Sequence, residues 1–281
     1  MMDAAVVAPL DWASFGLSPI AFRIGPLPIR WYALSFLAML LLGWWYLRLL
    51  LRRPGAPMRP KAADDLLAYA TSGVIAGGRL GYSLFYRPEL WSRPLEVLRM
   101  WEGGMSFHGG LIGLLLALWL FARRHGVEPV RLCDYVACAT PFGLVLVRLA
   151  NFVNGELWGR PTSLPWGMSF PGAGDDLPRH PSQLYEAALE GVLMAILLSW
   201  LFWRTDARLR PGRLLGTGLL IYGVARFLVE FVRQPDRGLE DLPWSLTMGQ
   251  TLSAPLIVAG AWLLARSFGA PTAEPAAAAA R

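Results

Sequence analysis

Apolar stretches of roughly 20 residues, the length an α-helix needs to cross a bilayer, recur along nearly the whole of this 281-residue chain. Seven such helices are predicted, at about 31–50, 65–85, 105–122, 132–150, 184–203, 214–232 and 248–266. The expected fold is an all-α integral membrane protein with about seven transmembrane helices. Residues 1–268 form one polytopic domain in this reading. Composition agrees: 55% of residues are hydrophobic and only 16% charged, with a mean hydropathy of +0.41, where a soluble domain carries about 25% charged residues. The 13 Trp residues suit anchoring at the membrane–water boundary.

The net charge of +6 does not imply nucleic acid. Its basic residues fall in short clusters between apolar runs and form no continuous stripe. All but Lys61 are Arg. Cys133 and Cys138 lie four apart in an apolar run, which fits neither a zinc site nor a disulfide framework. Both are expected to be small core residues. The N-terminus lacks the pattern of a cleaved signal peptide. The tail over 269–281 is expected to be disordered and cytoplasmic.

Orientation follows from the basic residues. Arg48, Arg52, Arg53, Arg59, Lys61, Arg123, Arg124, Arg131, Arg204, Arg208, Arg210, Arg213, Arg266 and Arg281 lie on one side. The other side holds Arg23, Arg30, Arg87, Arg93, Arg99, Arg160, Arg179, Arg233 and Arg237. The richer side is expected to be cytoplasmic, which puts the N-terminus outside and the C-terminus inside. The connection between the fourth and fifth helices, about 151–182, then forms a small periplasmic head. A loop that long is functional or disordered, and Trp158, Trp166 and Phe170 argue against disorder.

Three Arg remain inside predicted helices: Arg79, Arg148 and Arg226. Each costs about 2.5–3.5 kcal/mol at mid-helix on insertion scales unless it is paired or faces water. Plain structural roles exist for each. Arg226 lies four residues before Glu230 and can pair with it. Arg148 is in a last turn and can snorkel outward. Arg79 has only the distant Asp64 and Asp65. The grouping suggests more. Tyr222, Arg226 and Glu230 share one helix face, as do Arg148 and Asn151, and Arg suits bidentate binding of phosphate. Several Arg around one cavity would fit an anionic lipid head group. His108 is a candidate acid–base group or phosphate ligand, beside the plainer reading of a His at a helix mouth where Gly109 and Gly113 allow close packing. His125 and His180 read as solvated or structural loop residues. The glycines of "AGGRLGY" (76–82) follow no strand and are not a dinucleotide fingerprint; they read as sites of close helix approach around Arg79.

The stretch "RLANFVNGELWGRPT" (148–162) resembles the signature of bacterial phosphatidylglycerol–prolipoprotein diacylglyceryl transferases. "IRWYAL" (29–34), "GGRLGY" (77–82), "GGMSFHGGLIG" (103–113), "PRHPSQLYEA" (178–187) and "YGVARFLVEFVRQPD" (222–236) match that family's pattern in the same order. One position departs: Ala150 stands where the family usually has Gly, and the helix is expected to survive the change. The resemblance implies a seven-helix body with a periplasmic head in the bacterial inner membrane. It implies transfer of the diacylglyceryl group of phosphatidylglycerol to the lipobox cysteine of a preprolipoprotein still carrying its signal peptide. A thioether forms, glycerol phosphate leaves, and no cofactor or metal is expected. By the same resemblance Arg148 and Arg226 hold the phosphate, and Asn151, Asn154 and Glu156 shape the site. His108 and Tyr32 line the cavity. Gly159, Tyr222, Arg79 and Glu230 complete the substrate-binding set. Either His108 or Glu156 is nearest the transferred proton. Gly155 and Gly159 are expected to permit tight turns. Read without the resemblance, a transporter or scramblase with a polar path stands about level with this enzyme. A non-catalytic lipid-binding partner of the secretion machinery is the third reading. The polar motif residues lie toward the outer half, which favours a one-sided site.

Overall fold

Helices form at each of the seven predicted places, and the computed structural model adds small strands between them. It describes residues 10–99, 103–235, 246–269 and 272. Most of the predicted disordered tail, and Asp236 of the last motif, lie outside the described residues. Long helices are α1 (Trp31–Leu50), α2 (Ala62–Phe85), α4 (Phe107–His125), α5 (Pro129–Val153), α6 (Ser182–Arg204), α7 (Arg213–Val229) and α8 (Met248–Gly269); α3 (Pro94–Val97) is a single turn. Among the described residues five of them, α1, α4, α5, α6 and α8, are long and apolar enough to cross a membrane. The other two fall short for physical reasons. Helix α2 is made less apolar by Arg79 and by its Gly, Ser and Thr residues, and α7 has only 17 residues. The chain is thus a mostly helical, multi-pass membrane protein.

Local chemistry sets several helix ends. Ser106 caps α4 by accepting from Gly109 N–H at 3.2 Å, and Gly126 closes it in the left-handed conformation. Thr247 and Gln250 form a reciprocal capping box at the start of α8: Thr247 Oγ1 accepts from Gln250 N–H at 3.2 Å and Gln250 Oε1 from Thr247 N–H at 3.1 Å.

The chain divides into two compact units, Trp44–Val136 with Thr272–Arg281, and Met1–Gly43 with Ala137–Pro271. In the first, α2 and α4 pack through glycine. A Cβ on Gly77 would lie 2.8 Å from Gly113 Cα, and one on Gly81 2.8 Å from Gly109 Cα. In lipid, where apolar contact alone gives no net drive, such close backbone approach supplies the dispersion that holds helices together. An apolar groove of about 720 Å³ runs along this pair, walled by residues such as Tyr69, Leu80, Ile112 and Leu116.

In the second unit α7 and α8 repeat the device, with a Cβ on Gly260 only 2.7 Å from Leu220 N. The segment after α5 is ordered by short pairings. Strand β1 (Leu10–Asp11) lies parallel to β4 (Met168–Ser169), and β2 (Ile20–Ile24) forms a hairpin with β3 (Leu27–Arg30). Backbone bonds link Gly159 N–H to His180 O at 2.8 Å, Arg160 N–H to Val232 O at 2.8 Å and Met168 N–H to Arg179 O at 2.9 Å. Trp12, Met168 and Phe170 make a small buried core. Trp158 stacks on Phe170, and Trp12 donates its indole N–H to Phe152 O at 2.8 Å. Trp166 bonds the Tyr185 hydroxyl at 2.7 Å.

Candidate active site

Helix α5 brings Arg148 to its last turns; α6 brings Glu186 and Glu190; α7 brings Tyr222, Arg226 and Glu230, with Arg233 one turn further. These side chains meet. Glu186 is fully buried and takes three guanidiniums. Arg226 and Arg233 donate to its Oε1 at 2.6 and 3.0 Å, and Arg148 Nε lies 2.6 Å from its Oε2. Arg226 also pairs with Glu230 at 2.9 Å, the i,i+4 contact expected from spacing. Arg148 Nη2 lies 3.5 Å from Glu190 Oε2. Tyr222 is within electrostatic reach of Glu190, Arg148, Arg226 and Glu186. Three guanidiniums thus face three carboxylates in an environment where an unpaired charge is expensive.

The backbone makes this meeting possible. Residues Ala187–Leu193 of α6 form a π-helical turn, a feature frequent at functional sites. Glu190 sits in it. The next residue, Gly191, lets α6 come close to α5: a Cβ there would lie 3.1 Å from Val145 N.

A second cluster crowns α5. Asn151 and Asn154 both donate to Glu156 Oε1, at 2.9 and 3.0 Å, and Gln183 Nε2 donates to Glu156 O at 2.6 Å. The amide oxygens of Asn151, Asn154 and Gln183 are buried and accept no hydrogen bond among the described residues. Tyr32 is in electrostatic reach of both Glu156 and Arg148, which joins the two clusters. The turn between them is strained. Gly155 has φ +64° and Leu157, a residue with a side chain, has φ +60°. Leu157 is held by Ser182 Oγ, which donates to its carbonyl at 2.9 Å. Helix α5 continues through Ala150, whose carbonyl accepts from Asn154 N–H at 2.9 Å.

Some expectations change. Gly159 is not in a positive-φ turn. It is needed because three segments converge there: a Cβ would lie 2.5 Å from Val232 O and 2.6 Å from His180 Cβ. Arg79 belongs to the other unit and is buried there. Its Nε donates to Val97 O at 2.5 Å, Nη1 to Gly103 O and Gly104 O at 2.5 and 3.1 Å, and Nη2 to Glu96 O and Arg99 O at 3.0 and 3.1 Å. All five N–H groups hold backbone carbonyls of α3 and of the chain after it, which leaves no free donor for a phosphate. Asp64, one of its two candidate partners by sequence, instead accepts from Trp44 and Arg48 at 2.7 and 3.1 Å. His108 also belongs to that unit, exposed in the first turn of α4 with its ring edge-on to Phe107. His125 is in the last turn of α4 rather than a loop, stacked on Phe121. His180 contacts the Tyr185 hydroxyl at 3.2 Å, and partial burial lowers its pKa. Among the described residues no three His, Cys, Asp or Glu are placed to hold a metal.

Gln183, Glu186, Glu190 and Arg233 are the site residues that sequence reasoning passed over. Glu186 lies inside a quoted motif, and Glu190 follows it by one helical turn on the same face. Arg233 counts as a loop charge by position, yet it is buried.

The model of the family described as prolipoprotein diacylglyceryl transferase matches residues 19–266. The chain belongs to that family. It is a transferase. A protein of Zymomonas mobilis named phosphatidylglycerol–prolipoprotein diacylglyceryl transferase is 52% identical over 268 residues, covering 92% of this chain and 93% of its own. Proteins of the same name from Rhodospirillum centenum and Cupriavidus metallidurans are 50% and 51% identical, covering 94% and 91% of this chain and 96% of their own in each case. The matched span includes both clusters.

Proposed function

We propose that this enzyme transfers the diacylglyceryl group of phosphatidylglycerol to the lipobox cysteine thiol of a preprolipoprotein. The observation that carries this reading is the convergence of Arg148 and Arg226 on one buried carboxylate, Glu186, which holds two guanidiniums together where a phosphodiester can be bound. The thiolate sulfur attacks the carbon of the diacylglyceryl group that bears the phosphate oxygen. A C–S bond forms, the C–O bond breaks, and glycerol phosphate leaves with the electron pair. The thiol proton goes to a base, for which Glu156 is the candidate in this cluster. Arg148 and Arg226 stabilise charge on the departing phosphate, where preorganised donors in a low-dielectric site act most strongly. Asn151, Asn154 and Gln183, with their buried amide oxygens, can accept from the hydroxyls of the glycerol head group. Tyr32 and Tyr222 flank the phosphate site. In this reading all seven long helices cross the inner membrane, with the N-terminus periplasmic, the C-terminus cytoplasmic and residues 151–182 forming a periplasmic head over the site. Gly159 serves that head as a packing residue, and Glu230 aims Arg226.

The test is turnover by the purified protein in detergent with phosphatidylglycerol and a lipobox peptide, read as glycerol phosphate release. Release that needs the peptide cysteine, and that falls at least about 100-fold in Arg148→Ala, is expected. No release from folded wild type that still binds phosphatidylglycerol would sink the reading.

A further inference from the structure

A neutral network must change when an anion enters it. Arg148, Arg226 and Arg233 face Glu186, Glu190 and Glu230. With all six ionised the cluster is formally balanced. A phosphodiester lipid brings one more negative charge into a site screened from water. That charge needs a compensating cation, and a proton on one carboxylate is the smallest available. The three carboxylates are not equivalent. Glu186 has three guanidiniums within 3.0 Å. Glu230 has Arg226 at 2.9 Å. Glu190, fully buried, has a single contact at 3.5 Å, to Arg148, and its other oxygen is buried without a hydrogen-bond partner among the described residues. Charged neighbours from every side are Arg148 on α5, Arg226 on α7 with the Tyr222 phenol, and Glu186 on its own helix. Glu190 is therefore the carboxylate least neutralised as it stands, and the one whose protonation sacrifices least.

We infer that Glu190 takes up one proton from solvent when a phosphodiester lipid binds, which frees Arg148 Nη2 to turn from Glu190 to the phosphate. Glu190 is then a positioning residue. It acts through Arg148 and touches no reacting atom. This rests on the reading of Arg148 and Arg226 as the phosphate site. The uptake balances as carboxylate plus one proton to carboxylic acid, and the proton returns to solvent when the anion leaves.

The experiment is calorimetric titration of the full chain in detergent with phosphatidylglycerol and no peptide, so that nothing turns over. It is run at about pH 8, above the usual carboxylate range, in two buffers of different ionisation enthalpy. Wild type should take up close to one proton per lipid bound, and Glu190→Gln none. In the full reaction the KM for phosphatidylglycerol should rise roughly tenfold per pH unit in wild type, by one-proton linkage, and stay flat in Glu190→Gln. Glu190→Asp, which keeps a titratable carboxyl, should keep the uptake with a shifted pH dependence. Binding without uptake in wild type, or undiminished uptake in Glu190→Gln, overturns the inference. If Glu190→Gln does not fold, Glu190→Asp decides: its carboxyl is pulled back by one methylene, so uptake with the same pH dependence as wild type overturns the inference. Wild type that binds no phosphatidylglycerol at all overturns the function reading itself, and this inference with it.

Discussion

Replacing Glu186 by Gln keeps the volume and removes one charge. Its carboxylate is wholly buried and has guanidiniums at 2.6, 2.6 and 3.0 Å. At an effective dielectric of 20, a pair of unit charges about 4 Å apart attracts by about 4 kcal/mol. The three attractions do not sum to stability, because they mostly offset the cost of taking the ions out of water. Removing one partner leaves that cost standing for the others, which is about 3–5 kcal/mol for a buried pair. Here Glu190 gives part of it back, since losing Glu186 relieves the repulsion between the two carboxylates. The expected loss is therefore about 3 kcal/mol, at the lower end of that range. The control is Asp64→Asn. Its pair with Arg48 is 3.1 Å long but its side chains are 33% and 46% exposed, so solvent screening limits the loss to at most about 1 kcal/mol. Both variants can be measured by reversible unfolding in mixed micelles, followed by Trp fluorescence. A Glu186→Gln variant within about 1 kcal/mol of wild type would refute the argument that this carboxylate anchors the network.

Three further outcomes are expected. Gly77→Val should push α2 from α4, because even a Cβ would lie 2.8 Å from Gly113 Cα; overpacking of this kind costs about 1–3 kcal/mol, while Gly43→Ala, which meets nothing within 4 Å, should be neutral or mildly stabilising in the same unfolding assay. Arg79→Lys offers three N–H donors in place of five, so it should lose at least about 2 kcal/mol and expose the chain around residues 96–99 to limited proteolysis. Gly155→Ala should cost about 1–2 kcal/mol from its φ of +64°, seen as a lowered melting temperature. An unchanged value there would show that the turn relaxes.

Helix number and placement were legible because a bilayer imposes a length on apolar runs, and that constraint is local. α1 starts and ends at the predicted residues, and the others shift by a few positions at their caps. The small strands were not legible. β1 pairs with β4 across more than 150 residues, and two-residue strands carry no period to read. The same division runs through the site. Arg148, Arg226 and Glu230 stood out because a charge in an apolar helix is costly wherever it points. Arg79 stood out for the same reason, yet its five bonds to backbone carbonyls show that cost can be offset by structure alone.

The sequence by itself determined that this chain crosses a membrane, which family it resembles, and which charges needed an explanation. Those properties follow from composition and order along the chain. Only the tertiary structure decided who meets whom. It put Glu186 under three Arg from two other parts of the chain, buried Arg233, set Glu190 at the weak end of the network and gave Gly159 to the packing of three segments. Pairing energy depends on distances of a few ångströms between residues far apart in sequence, and no local pattern encodes them.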